Sequence, residues 1–434
     1  MTQKKWLYET PYVLLAAIII LFLISHSPNY LDYDAPSYIN FDVIRPPIYP
    51  IFVWLFHWTG SYQFTLIIWA HAIITFCALL YARYWLKKYL KISDFLIFIV
   101  FLIVIFTILF HFQLLLIGSE GLSFPFFIVT FFLFIECFKE FNLKKLSLLA
   151  LSVGLIILTR LQFYYLYIMF AILCTWYFYK KVPIKSLCNG IVMLLLSILA
   201  TTLIDKTYHY FKHGVFSGAP ATGKLLIVQP LFLAVSGDVV NYFTDPKEKQ
   251  YVQDMLIQIN QKQLNKDADL LTATKPSYYE FAYHSYNRNY ISIFETINQV
   301  LAHETSIDQN KIAQNITKTL VIHDSKKNLM FFLWKIVEFM GGIQLFIFFI
   351  FVAFALSVKV ISDRKWQPSY SETFIAVIIL ITFLNAALVA LVEAFLVGYF
   401  CYSQFMFYCL AAFFADRVFF KDANLQLGTS NGAI

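Results

Sequence analysis

The sequence predicts an all-α membrane protein, a polytopic bundle of about ten transmembrane helices with one large extracytoplasmic loop domain. The chain has 434 residues, of which 60% are hydrophobic and only 14% charged. Its mean hydropathy is +0.67, whereas soluble domains are about one-quarter charged. Apolar runs long enough to cross a hydrocarbon core of about 30 Å recur along the chain. These observations together predict a helical bundle in lipid.

Each predicted span is an apolar run of the length that a helix needs to cross a bilayer, about 20 residues. The run 146–159 is short, and only Arg160 separates it from the next run. The segment 49–58 is too short to cross, so we interpret it as an interfacial or re-entrant helix. The predicted spans are 9–26, 63–83, 93–112, 122–138, 146–159, 161–179, 186–204, 330–357, 371–392 and 396–415.

Lysine and arginine residues in the short loops predict the orientation, because cytoplasmic loops carry an excess of both. Basic clusters alternate with basic-poor loops along all the predicted spans, so both termini are expected in the cytoplasm. The basic clusters are Lys4/Lys5, Arg83/Lys87/Lys88/Lys91, Lys139/Lys144/Lys145, Lys180/Lys181/Lys185, Lys359/Arg364/Lys365 and Arg417/Lys421.

Three regions follow from this topology. Residues 1–204 form an N-terminal transmembrane module that includes the first external loop, 27–62. Residues 205–329 form an extracytoplasmic loop domain, which has mixed charge and a helical pattern around 246–270. Residues 330–434 comprise the C-terminal transmembrane helices and a cytoplasmic tail.

The net charge of +7 does not indicate a nucleic-acid partner, because the basic residues are scattered between apolar runs instead of forming a patch. All six cysteines lie in or beside apolar runs, without a CxxC pair. Neither a disulfide framework nor a zinc site is therefore indicated.

The first external loop carries the carboxylates Asp32 and Asp34 and the arginine Arg45. Such a loop can present a base at the membrane interface, although Asp and Pro are also ordinary residues of a solvated loop. Glu120 and Arg160 are predicted on the same side, each at a helix boundary. Glu120 is either a functional group or a carboxylate that lies at the membrane interface. Arg160 either binds a phosphate or marks the end of a helix.

Two other groups have a simpler interpretation. Glu393 and Asn385 interrupt the last apolar runs and are interpreted as hydrogen-bonding groups between helices. His57, His71 and His111 lie apart without metal-ligand spacing and are interpreted as packing residues.

Taken in order, these motifs resemble the GT-C superfamily of integral membrane glycosyltransferases, which includes the protein O-mannosyltransferases and the aminoarabinose transferases. The matching pieces lie within residues 1–210, and the layout is similar over the whole chain. They are Asp34-x-x-x-Tyr38, Arg45-x-Pro-x-Tyr-Pro50, Ser119-Glu-x-Leu122 and Thr159-Arg160.

The resemblance implies an inverting transfer of a sugar from a polyprenyl-phosphate donor to a lipid, glycan or protein acceptor. Asp34 would be the catalytic base, with Asp32 as the alternative. Some relatives bind a divalent metal and others do not, and Asp32, Asp34 and Glu120 could supply its oxygen ligands. The residues implied in donor binding are Tyr38, Arg45, Tyr49, Glu120 and Arg160.

One stretch departs from the family pattern. Near the last span the family often has an Arg-Tyr pair, but this chain reads Val397-Gly398-Tyr399-Phe400. A phosphate contact expected at that position is therefore missing or replaced.

Two other functions stay open. A transporter or flippase for a lipid-linked or anionic solute would carry ionisable residues at mid-depth and duplicated halves, whereas here the ionisable residues cluster at one side and no repeat is found. A polysaccharide polymerase would carry more arginine in its external loops than the single Arg288 of 205–329. The expected location is a bacterial inner (cell) membrane, with the site facing the periplasm or exterior.

Overall fold

The predicted apolar runs fold as helices. A computed structural model describes residues 2–27, 34–113, 115–219, 222–235, 237–268, 276–362, 367–394 and 397–421. No β-strand occurs within these ranges. The helices are α1 (Thr2–Ser25), α2 (Ala35–Ile39), α3 (Ile48–Trp54), α4 (Gln63–Trp85), α5 (Asp94–Val104), α6 (Glu120–Lys139), α7 (Leu143–Thr159), α8 (Tyr165–Tyr179), α9 (Ile184–His213), α10 (Thr222–Leu226), α11 (Val228–Leu233), α12 (Pro246–Gln261), α13 (Pro276–Val300), α14 (Ser306–His323), α15 (Ser325–Phe339), α16 (Ile343–Ser362), α17 (Tyr370–Val392) and α18 (Cys401–Ala415).

Within the described residues, seven helical segments are long and apolar enough to cross a membrane. The count of about ten stays a prediction. Of the other predicted spans, α7 and α18 have 17 and 15 residues, and Thr10–Ser25 is a shorter apolar helix. The seven are His57–Leu90, Asp94–His111, Glu120–Lys139, Leu161–Tyr179, Ile184–His213, Ile343–Ser362 and Tyr370–Val392.

Most of the apolar surface of α16 is not covered by the rest of the protein. Only 6% of its most apolar window is buried by the protein, and the side chains of Phe351, Phe354 and Ile361 are 69%, 66% and 79% exposed. A contiguous apolar face of this kind marks contact with a membrane or a partner. Together with the other apolar helices, it identifies the chain as an integral membrane protein.

The predicted span 330–357 is wrong as a single helix. α15 ends at Phe339 and α16 begins at Ile343, and between them Gly341 and Gly342 adopt φ values of +98° and +89°. Only glycine adopts such angles without steric cost, so this pair interrupts the helix. The residues on both sides of the pair are apolar, so the hydropathy pattern shows one continuous run and does not indicate the break.

The chain divides into two compact units. The first contains Met1–Phe216, Ala353–Ile381 and Phe400–Ile434, and the second contains Ser217–Val352 and Thr382–Tyr399. This division follows packing and does not test the predicted 205–329 loop domain, which stays a prediction.

The centre of the first unit is α6, which packs against α4, α7, α8 and α18. Of its most apolar window, 83% is buried. Its phenylalanines make aromatic contacts with neighbouring helices; the Phe127 and Tyr402 ring centroids, for example, lie 5.2 Å apart. Because α6 is enclosed by these helices, its two ends are held in place.

Ion pairs hold the lysine-rich ends of the first unit together. Asp94, at the start of α5, accepts a hydrogen bond from Arg83 Nε of α4 at 2.9 Å. Glu136 of α6 pairs with Lys145 of α7 at 2.7 Å and accepts a hydrogen bond from Trp85 Nε1 at 3.1 Å. These contacts join the same ends of four helices.

The second unit has its own apolar core. Phe232 of α11, Tyr286 of α13 and Phe331 of α15 contact one another, with the Tyr286 ring 5.3 Å and 5.5 Å from the other two centroids. Packing of α10 on α14 and of α12 on α13 completes the unit. Its helices are therefore a folded body and not a series of extended loops.

Candidate active site

The residues of the predicted first external loop form two short helices, α2 and α3, which pack into a hydrophobic core. Ala35 and Tyr38 of α2 and Tyr49 of α3 are buried against Ile67 of α4 and Leu122 of α6. Their burial removes apolar surface from water and fixes the loop on the transmembrane helices. The polar side chains of the loop are thereby held at the start of α6.

Asp34 lies immediately before α2 and forms an ion pair with Arg45. Arg45 also donates from Nε to Ser37 Oγ at 2.8 Å and from Nη1 to the Tyr38 hydroxyl at 3.0 Å. Its guanidinium lies 4.4 Å from the Tyr38 ring centroid. Two nitrogens of the rigid guanidinium are held by Ser37 and Tyr38, and the third, Nη2, contacts the Asp34 carboxylate.

The hydroxyl of Tyr38 continues this network into the transmembrane helices. It donates to Ser119 Oγ at 3.0 Å, immediately before α6. Burial raises the pKa of Tyr38, and the nearby positive charge of Arg45 opposes part of that rise. The phenol thus keeps its proton at neutral pH and remains a hydrogen-bond donor.

Ser119 connects to a second ion pair. Arg160 Nη1 lies 3.5 Å from Ser119 Oγ and pairs with the carboxylate of Glu120. Glu120 is the first residue of α6, where the helix dipole favours a negative charge. Arg160 follows the end of α7 in an extended conformation, with φ −155° and ψ 120°, so the chain turns there and directs the arginine towards α6.

Exposure differs along this network. The side chain of Asp34 is 50% exposed, and that of its partner Arg45 is 19% exposed. The side chains of Arg160 and Glu120 are 14% and 18% exposed. Asp34 is therefore the most accessible of these four side chains, while both arginines and Glu120 are largely buried.

Tyr49 lies behind Tyr38 and is fully buried. Its ring meets the Tyr38 ring edge-on at 4.7 Å, and its hydroxyl lies 3.4 Å from His71 Nε2. Burial raises the pKa of Tyr49 well above its usual value. In this conformation Tyr49 supports the Tyr38 ring and is not itself open to a ligand.

The structure thus joins five of the predicted site residues through the hydroxyl of Ser119. Asp32, the alternative base, lies outside the described residues. The sequence indicates Ser119 only as part of a motif, because nothing in its spacing predicts that it connects Tyr38 to Arg160. The five joined residues are Asp34, Tyr38, Arg45, Glu120 and Arg160.

A histidine that the sequence did not indicate as a site residue supports the loop. His209 near the end of α9 is fully buried, with Nε2 2.9 Å from the carbonyl oxygen of Val43 and Nδ1 2.8 Å from that of Asp205. Both oxygens only accept hydrogen bonds, so the ring satisfies both when both nitrogens carry protons. His209 therefore ties the first loop to α9. No sequence signal near His209 pointed to Val43, which lies 166 residues earlier.

In the second unit, Asn385 Nδ2 donates to the carbonyl oxygen of Tyr399 at 3.1 Å. The Tyr399 hydroxyl donates to Glu393 Oε1 at 3.1 Å. Tyr399 belongs to the stretch that departs from the family pattern, and here its hydroxyl is used in an internal hydrogen bond.

Among the residues described, no cluster of three or more His, Cys, Asp or Glu side chains is arranged to hold a metal ion. Asp32 is not part of that set, so the expected Asp32, Asp34 and Glu120 ligand group stays a prediction.

A comparison of the chain with protein-family models, curated proteins and solved structures finds no match. The class of the protein, an α-helical integral membrane protein, follows from its own apolar helices. The resemblance to GT-C enzymes rests on the motifs alone.

Proposed function

We propose that this chain is a membrane glycosyltransferase of the GT-C kind, which moves a sugar from a polyprenyl-phosphate donor to an acceptor. The observation that carries the proposal is the network of two acid–arginine pairs joined by Tyr38 and Ser119. Glycosyl transfer from a phosphate donor needs a base for the acceptor and positive charge for the leaving phosphate. The network offers both kinds of group.

In the proposed reaction, the Asp34 carboxylate accepts the proton of the acceptor hydroxyl while that oxygen attacks the anomeric carbon of the sugar. The bond between this carbon and the phosphate oxygen breaks, and the lipid phosphate leaves with the bonding electrons. Arg45 and Arg160 stabilise the negative charge that develops on the phosphate. Direct displacement inverts the anomeric centre, so no pair of carboxylates acting as in a retaining glycosidase is required.

The contacts of the two arginines also support these roles for Asp34 as the base and for the arginines as phosphate-binding groups. Arg45 positions Asp34, and Glu120 holds Arg160 beside Ser119. A guanidinium can bind a phosphate through two hydrogen bonds. Arg160 lies at the end of the apolar helix α7, which suits a phosphate carried on a lipid tail. The donor could then keep its polyprenyl chain in the bilayer during transfer.

We further propose that the site faces the periplasm or exterior of a bacterial inner membrane, because the lysine-rich helix ends are expected in the cytoplasm. Glu120 and Lys139 occupy opposite ends of α6.

The test is transfer of labelled sugar from a panel of polyprenyl-phosphate sugars by membranes that contain wild type, Asp34→Asn or Asp42→Asn at matched expression. Asp42→Asn is the control, because Asp42 Oδ1 accepts a local hydrogen bond from Ile44 N at 3.1 Å, which the amide oxygen of asparagine can also accept. Loss of a general base costs roughly a hundredfold or more in rate. We expect that loss for Asp34→Asn and near-normal transfer for Asp42→Asn.

Equal transfer by wild type and Asp34→Asn would remove Asp34 as the base and direct the test to Asp32→Asn. Absence of transfer by wild type with every donor in the panel would contradict the enzyme proposal. The transporter or flippase interpretation would then be preferred.

A further inference from the structure

A second candidate site lies in the first unit, at the end of α6 far from Glu120. A cavity of about 910 Å³ opens between the C-terminal ends of α6 and α8 and the start of α17. Cavities of this size accommodate small ligands in many proteins. Its lining includes the lysines Lys139, Lys180 and Lys181 and the aromatic residues Trp176, Tyr177 and Tyr179.

The cavity is distinct from the candidate active site. α6 runs from Glu120 to Lys139, and a straight α-helix of that length spans about 30 Å. Glu120 belongs to the acid–arginine network, whereas Lys139 lines the cavity. A ligand in the cavity therefore cannot touch the residues proposed to transfer the sugar.

The charge of the lining favours an anion, because the lining includes three lysines and a single carboxylate, that of Glu140. Lys139 Nζ donates to the carbonyl oxygen of Pro368 at 2.8 Å. Lys180 Nζ lies 4.8 Å from the Trp176 ring centroid. Lys181 lies next to it in the left-handed region, with φ 53°. Two consecutive lysines therefore line one cavity.

Aromatic side chains beside these lysines form another part of the lining, and hydrogen bonds fix them. Trp176 Nε1 donates to the carbonyl oxygen of Phe138 at 3.0 Å, and the Tyr177 hydroxyl donates to that of Cys137 at 2.9 Å. The Tyr179 hydroxyl donates to the carbonyl oxygen of Val360 at 2.6 Å. The wall is therefore formed before any ligand arrives. Trp and Tyr beside Lys are typical of the membrane–water boundary.

We propose that this cavity binds a phosphate ester at the lysine-rich boundary of the membrane. Basic cavities between membrane helices at this boundary bind the phosphate groups of anionic lipids. The lysines would contact the phosphate, and the aromatic wall would cover the glycerol and the first part of the acyl chains. The same phosphate chemistry is available from an anionic glycerophospholipid or from a soluble glycerol phosphate.

The experiment uses the full chain in lipid nanodiscs. In one arm the discs contain phosphatidylcholine with a minor fraction of phosphatidylglycerol, and native mass spectrometry measures the phosphatidylglycerol that stays bound. In the other arm the discs contain phosphatidylcholine alone, and binding of added glycerol phosphate is measured. The test variant is Lys180→Gln/Lys181→Gln.

The matched control is Lys144→Gln/Lys185→Gln. These lysines are exposed, are predicted on the same side of the membrane and do not line the cavity. A third variant, Lys180→Arg/Lys181→Arg, keeps both charges. It distinguishes loss of binding from loss of folding.

We expect phosphate-ester binding to weaken roughly tenfold in Lys180→Gln/Lys181→Gln, because each lysine near an anionic headgroup contributes attraction. The control pair and the arginine pair should bind like wild type. Loss in the first arm alone identifies a lipid headgroup, and loss in the second arm identifies a soluble phosphate ester. Absence of binding by wild type in both arms, or equal weakening in both glutamine pairs, would overturn the proposal.

Discussion

Arg45 and Arg160 use similar chemistry in different surroundings. Each is paired with a carboxylate, but the partner of Arg45 is half exposed and that of Arg160 is not. An exposed ion pair contributes little to stability because water screens it. The Asp34–Arg45 pair is therefore better explained by positioning than by its contribution to folding.

At the same scale, Lys335 is a buried charge that sequence analysis did not single out. It is fully buried on α15, with Nζ 3.2 Å from Gln229 Oε1 and 4.5 Å from the Tyr286 ring centroid. Burial lowers the pKa of Lys335 from 10.5 to about 7, and Glu393 opposes part of that change. Removing an ammonium from water is costly, so the neutral amine is favoured above neutral pH.

This pKa predicts a pH dependence of stability. Between about pH 7 and about pH 10 the unfolded chain holds a proton on Lys335 that the folded chain has released, so the free energy of unfolding should rise with pH by about 1.4 kcal/mol per unit. Lys335→Met should abolish this rise. Thermal unfolding of wild type and variant in detergent across this range measures the difference.

Lys326→Met, on the exposed surface of the same helix, serves as the control and should keep the wild-type slope. If the difference between wild type and Lys335→Met stays constant over the range, Lys335 is charged in the folded chain.

At the scale of elements, the start of α6 approaches α4 closely at Gly121. A Cβ atom added to Gly121 would lie 2.3 Å from the His71 ring, which is fully buried. His71 also contacts the Tyr49 hydroxyl. Glycine at this position therefore allows α6 to bring Ser119 and Glu120 to the first loop.

Gly121→Ala should displace His71 and lower the free energy of unfolding by about 1–3 kcal/mol, as overpacking of a filled core does. The control is Gly190→Ala in α9, where the new Cβ would meet Cys174 Sγ at 3.5 Å, an ordinary contact. Because alanine favours a helix over glycine, this control should be neutral or slightly stabilising. Thermal unfolding in detergent compares the two, and equal melting temperatures would show that α6 and α4 have room to separate.

At the scale of the whole molecule, the alternation of lysine-rich and lysine-poor helix ends predicts the topology. Ser61 and Lys88 lie at opposite ends of the segment His57–Leu90, and both are exposed. The positive-inside rule places Lys88 in the cytoplasm and Ser61 outside.

Single substitutions Ser61→Cys and Lys88→Cys, in a background without the exposed Cys77 and Cys188, test this topology. A membrane-impermeant maleimide should label the first variant in intact cells and the second only after the membrane is opened. The reverse pattern would put the acid–arginine network on the cytoplasmic side and contradict the proposed direction of transfer.

The membrane class and most helices could be predicted because hydropathy is a property of consecutive residues. The runs that became α6, α9 and α17 are apolar in any arrangement of the chain, so composition and length suffice to find them. The break at Gly341 and Gly342 could not be predicted from hydropathy, because it depends on backbone angles that two glycines permit but do not require.

The site divides in the same way. The sequence by itself determined which acids and arginines lie near helix boundaries, including Asp34, Arg45, Glu120 and Arg160, because charged residues stand out in apolar surroundings. Only the tertiary structure decided that Tyr38 reaches Ser119, 81 residues away. The physical reason is that hydrophobicity is encoded locally, whereas a hydrogen bond across the fold exists only when packing has brought its donor and acceptor together.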